Sequence, residues 1–106
     1  MASESALKSV LEEELERNLK KQVIFNDELE KLPKGSLSIV TIHNDEYLYR
    51  KYRKGNKVIS EYIGPIDGDS SKEAYKLRER FLKLKQAIKD LKKEERYLKR
   101  ALHIHD

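Results

Sequence analysis

The segment YLYRKYRKGNKVISEYIG, Tyr47 to Gly64, decides how the middle of the chain folds. Its centre, Lys54-Gly55-Asn56, has the composition of a tight turn, and the residues on either side include the tyrosines, valine and isoleucines that favour extended backbone. Tyr47 to Arg53 and Lys57 to Ile63 therefore read as two strands of an antiparallel hairpin. The two-residue period of a strand separates Leu48, Arg50 and Tyr52 from Tyr47, Tyr49, Lys51 and Arg53, so one face carries aromatic and basic groups together. Alternation alone does not say which face is buried.

Working outward, LSIVTIH (Leu37 to His43) is rich in β-branched residues, and Asn44-Asp45-Glu46 has turn chemistry, which adds a first strand and gives a three-stranded antiparallel meander over about residues 37–63. Upstream, Leu7, Leu11, Leu15, Leu19, Gln22, Phe25 or Asn26, Leu29 and Leu32 fall mainly three or four apart. That spacing predicts an amphipathic helix over about residues 4–32, with Asn18 and Asn26 as its weak points and Pro33-Lys34-Gly35 as its stop. Downstream of the turn-rich GPIDGD, Ser70 and Glu73 have the spacing of a capping box. Beyond them Ala74, Leu77, Phe81, Leu84, Ile88, Leu91, Glu95, Leu98 and Leu102 recur at alternating intervals of three and four, predicting a helix over about residues 71–102 with a heptad seam interrupted only by Glu95. The expectation is an α+β fold of order α-β-β-β-α, one domain spanning residues 1–106, with the helices packed as an antiparallel pair against each other and part of the sheet.

Composition limits the function. The 106 residues are 38% hydrophobic and 40% charged, which leaves little material for an enclosed substrate pocket. The absence of cysteine rules out disulfides, thiolate nucleophiles and cysteine-based metal centres. The first residues are acidic where a signal peptide is basic, and no apolar run approaches membrane-spanning length, so a cytoplasmic protein without membrane partners is expected. Charge is polarised along the chain: residues 1–31 hold five basic and eight acidic side chains, residues 32–70 six and five, and residues 71–106 twelve and six. A basic second half attracts polyanions, and an acidic first half gives it an internal partner.

Tyr47, Tyr49, Arg50, Lys51, Tyr52, Arg53, Lys54 and Lys57 form the candidate nucleic-acid site, because cations neutralise phosphates while tyrosines pack on sugars and bases. The competing explanation is structural: tyrosine is a strong strand former and lysine protects edge strands. On the last helix, Lys76, Arg80, Lys83, Lys89, Lys92, Lys93, Arg96 and Arg100 are interspersed with Glu73, Glu79, Glu94 and Glu95 and read as a solvated face. Leu77, Phe81, Leu84, Ile88, Leu91, Leu98 and Leu102 are the helix-packing positions, and would bind a partner if the chain did not cover them itself. His43, His103, His105 and Asp106 make no metal-ligand cluster, Asp67 and Asp69 suit a helix start, and no nucleophile is placed beside an acid or base. Neither a metal, a cofactor nor an enzymatic activity is expected.

Leu32 to Pro65 resembles a pattern in small uncharacterised prokaryotic and phage-borne proteins and near the start of some transposases. There a P-x-G-S-L opening precedes a Y-x-Y strand, an R-x-G-x-K turn and a Y-I-G ending. The matching residues are Pro33, Gly35, Ser36, Leu37, Tyr47, Tyr49, Arg53, Gly55, Lys57, Tyr62, Ile63 and Gly64. The resemblance implies a meander and no particular activity; the sheet is also similar in outline to the three-stranded DNA-binding sheets of some phage integrases. Together these readings point to a non-catalytic nucleic-acid-binding accessory protein of a phage or mobile element, with DNA placed ahead of RNA. The alternative is a protein-interaction module that forms a coiled-coil dimer, or regulates a host protein, through the last helix.

Overall fold

The computed structural model describes the backbone of residues 2–103 and the side chains of residues 6–103. Helix α1 (Ala2–Lys31) is followed by strands β1 (Ser36–Ile42), β2 (Asp45–Lys54) and β3 (Lys57–Pro65) and by helix α2 (Asp69–Ala101). This is the expected α-β-β-β-α order. The strands form one antiparallel sheet in the order β1-β2-β3. Two compact units emerge, one taking in α1 and the second half of α2 (Met1–Lys31 and Lys83–Asp106), the other the sheet and the start of α2 (Leu32–Leu82).

In the sheet unit both hairpins close through two residues. Gly55 has φ of 63° at the first central position of the β2–β3 turn, where a II′ turn calls for glycine, and Lys54 pairs with Lys57 across it. The β1–β2 turn falls on His43-Asn44 rather than on Asn44-Asp45-Glu46. Both its residues have positive φ, as a I′ turn requires, which leaves Asp45 and Glu46 to pair with Ile42 and Thr41 in the ladder. A bulge at Ile63 sets Gly64, not Ile63, opposite Leu48 and turns the end of β3 toward α2.

Leu48 is 0% exposed and Ala74 is also buried. Leu37 and Arg50, on the same side of the sheet as Leu48, share a crevice with Ala74, Leu77 and Arg78 of α2. The Leu48 side is therefore the packed face. Arg78 fastens the unit further by donating from Nη1 to the Gly35 carbonyl at 2.7 Å. Gly35 has φ of 104°, and a Cβ there would collide with the Lys51 carbonyl, so the entry to β1 demands glycine. At the start of α2, Gly68 receives the first helical bond from Lys72 N, and Ser71, fully buried, donates to the Pro65 carbonyl at 2.6 Å. Ser70 thus lies inside the first turn instead of capping it, because the Pro65–Gly68 turn starts the helix two residues early.

The helical unit buries the seam predicted for α2: Leu84 and Ile88 are buried, and Leu91, Leu98 and Leu102 are half-buried. Residues 91–95 of α2 meet residues 18–22 of α1, whereas Leu102 lies beside Lys8, Glu12, Leu15 and Leu19, so the two helices run antiparallel. At the centre the seam is polar. Asn18, 1% exposed, donates from Nδ2 to the Leu91 carbonyl at 2.8 Å and to Glu94 Oε1 at 3.1 Å. Gln22 Nε2 donates to Asn18 Oδ1 and to Glu95 Oε1, each at 2.7 Å, and Lys99 Nζ lies 3.0 Å from Glu95 Oε2. Asn18 is thus a buried, fully bonded residue of an unbroken α1, not its weak point.

Two stability measurements follow. Leu48→Ala should cost roughly 2–5 kcal/mol in urea denaturation, whereas Val58→Ala on the open side should cost less than about 1 kcal/mol. Asn18→Ala, which strips partners from Gln22 and Glu94, should cost about 1–3 kcal/mol.

Candidate nucleic-acid interface

Because Leu48 is packed, the alternate side chains of β2 point the other way. Tyr47, Tyr49, Lys51 and Arg53 lie on the open face beside Val40, Ser38 and Ser36 of β1 and Tyr62, Ser60 and Val58 of β3. Tyr62, opposite Tyr49, is 53% exposed, and its ring centroid is 5.4 Å from that of Tyr49, edge to face, and 6.1 Å from that of Tyr47. Such contacts stabilise by about 0.5–1.5 kcal/mol each and hold the rings in place while leaving aromatic surface in solvent.

Cations concentrate at the hairpin tip. Lys51, Arg53, Lys54 and Lys57 are all exposed, and Lys54 stands directly opposite Lys57. Like charges facing each other across a ladder destabilise it. Tyr52 to Ile59 contains no acidic residue to relieve them, and among the described residues none of the four cations makes an ion pair. On α2 several cations are engaged: Lys99 pairs with Glu95, and Arg78 and Arg100 lie over the rings of Phe81 and Tyr97 at 5.1 and 5.8 Å.

The structure divides the eight residues of the sequence-derived site. Tyr47, Tyr49, Lys51 and Arg53 share the open face, whereas Lys54 and its partner Lys57 stand at the turn and fall by alternation on the Leu48 side. Arg50 and Tyr52 belong to the opposite face, as the two-residue period requires once Leu48 is buried. Arg50 stands opposite Glu61 and lines an open cleft of about 640 Å³ with Glu61, Asp69 and Glu73, an acidic setting unsuited to phosphate. Tyr62 is outside these eight, and the structure adds it to the site. The two-residue turn could have found it, because counting back from Lys54 opposite Lys57 brings Tyr62 to Tyr49.

Of the packing positions, Leu77 and Phe81 are half-buried in the sheet unit and Leu84, Ile88, Leu91, Leu98 and Leu102 line the helical unit. Among the described residues no three His, Asp or Glu side chains gather where a metal could bind. His43 is in the β1–β2 turn, His103 follows α2, and His105 and Asp106 lie outside the described residues. No helix among the described residues is long and apolar enough to cross a membrane.

No curated protein and no solved structure matched the chain. A family model matches residues 5–73, from α1 through the whole sheet to the first turn of α2. On that match, which spans more than half of the sequence, the chain belongs to the family of the domain of unknown function DUF6788.

Proposed function

We propose that the open face of the sheet binds nucleic acid, DNA in the first place, and that the protein is a non-catalytic accessory factor acting in the cytoplasm. The observation that carries this reading is the β2–β3 hairpin, where Lys51 and Arg53 continue the open face from three clustered tyrosines and Lys54 and Lys57 meet at the tip, all four without acidic partners. A polyanion would relieve the repulsion between Lys54 and Lys57 and release its own counterions on binding. Tyr47, Tyr49 and Tyr62 would pack on sugars or bases, and a narrow antiparallel sheet has the dimensions to enter a DNA groove. The resemblance of Leu32 to Pro65 to phage-borne proteins and to the start of some transposases supports the same reading and the association with a mobile element that is proposed with it. A partner-binding role for the α2 seam has less support, since Leu84 and Ile88 are buried within the chain itself.

Fluorescence polarisation with labelled double-stranded DNA, single-stranded DNA and RNA over a salt series tests the proposal. Lys51→Ala with Arg53→Ala should flatten the dependence of log K on log salt by roughly 2 units, one for each lost phosphate contact. Tyr49→Ala with Tyr62→Ala should weaken binding with the slope retained, and Arg50→Ala should leave both unchanged. Failure of the wild type to bind any of the three at low salt would end this reading.

A further inference from the structure

The two edges of the sheet are unlike. β3 carries the features with which sheets discourage edge-to-edge pairing: Lys57 at its start, Glu61 within it, a bulge at Ile63 and Pro65 at its end. β1, Ser36–Ile42, reads SLSIVTI and has none of them. All seven residues are in unbroken register with β2, and on the other side β1 has no neighbouring strand. Among the described residues no backbone hydrogen bond from outside the ladder reaches it. Ile39 and Ile42 remain 51% and 43% exposed. A straight, uncharged, β-branched edge with open backbone donors and acceptors is a template for another strand.

We propose that β1 pairs with β1 of a second copy of this chain, antiparallel across a two-fold axis at Ile39, to form a continuous six-stranded sheet. The strand's own sequence favours this occupant. Centred on Ile39, the register sets Ile39 against Ile39, Ser38 against Val40, Leu37 against Thr41 and Ser36 against Ile42, so the isoleucines meet at the axis, every pair is uncharged and no charge is buried. Just beyond each end, exposed Lys34 of one copy falls opposite Asn44 of the other, in the turn that leads to exposed Asp45, and the contact occurs twice because it is isologous. Pairing β1 with β3 of another copy would instead be heterologous, would bring the bulge and Pro65 into the ladder, and would propagate without closing. In the two-fold arrangement the open faces of both copies lie on one side of the joined sheet. The pairing itself does not depend on what that face binds.

The chain lacks cysteine, so a single introduced thiol reports on one position. Light scattering on the eluting wild type should give twice the 12.5 kDa chain mass, and Ile39→Lys, its fold verified by circular dichroism, should return it to 12.5 kDa. Under oxidising conditions Ile39→Cys should cross-link two chains, since paired positions in an antiparallel ladder have Cα atoms about 4.5–5.5 Å apart, within disulfide reach. Ile59→Cys on β3 should not. A wild type that stays at 12.5 kDa at high micromolar concentration, or cross-linking through Ile59→Cys and not Ile39→Cys, would overturn the proposal. Should Ile39→Lys fail to fold, the cysteine pair decides alone.

Discussion

The burial of Leu48 is the constraint from which the sheet unit takes its character. A strand has only two faces, so when Leu48 is withdrawn from solvent with Leu37, Arg50 and Tyr52 on its side, Tyr47, Tyr49, Lys51 and Arg53 are committed to the other. A one-residue slip of β2 would exchange the two sets, forcing a tyrosine into the fully buried Leu48 site and Leu48 into solvent. That costs the burial of Leu48 and overfills a site shaped for a smaller side chain. Register is held at several points: the two-residue turns at both ends of β2, the close approach of Gly35 to Lys51, and the Arg78 bond to the Gly35 carbonyl.

The helical unit solves a comparable problem with polar groups. An all-apolar antiparallel pair can slide by a turn at little cost, since leucines replace one another in the seam. Asn18, Gln22, Glu94, Glu95 and Lys99 form a connected set whose bonds are satisfied in one register. No buried side-chain donor or acceptor among the described residues lacks a partner. Such a network adds little net stability and much specificity, since a shifted alignment would leave Asn18 without its bonds.

The elements and their order were legible because their signals are local: the turn residues Gly55 and Asn44, the stop at Pro33 and the three-four spacing from Ala74 to Leu102. What escaped was either a local signal passed over or a matter of long-range packing. In α1 the reading followed the leucines and chose Leu19, which is exposed, when the spacing through Leu11, Leu15, Gln22, Phe25 and Leu29 leads to Asn18. Period was the sounder guide there, and hydrophobicity misled. The membership of the site was half legible for a different reason, since it depends on tertiary packing. Alternation separated Arg50 and Tyr52 from the other candidates, but only the packing of Leu48 reveals that their side is the covered one, and Tyr62 joins the cluster through a partner thirteen residues away.

A cationic hairpin tip and a cluster in which Tyr62 packs on both Tyr47 and Tyr49 are the features that this chain's packing does not require, and the functional reading rests on them. An amide chemical-shift titration of the isotopically labelled protein with a short DNA duplex tests that reading most directly, because it locates the contact residue by residue. The account predicts perturbations clustered at Tyr47, Tyr49, Lys51, Arg53, Ser60 and Tyr62 that diminish as salt is raised. Perturbations confined to the basic face of α2 around Lys89, Lys92, Lys93 and Arg96, or none at all, would contradict it.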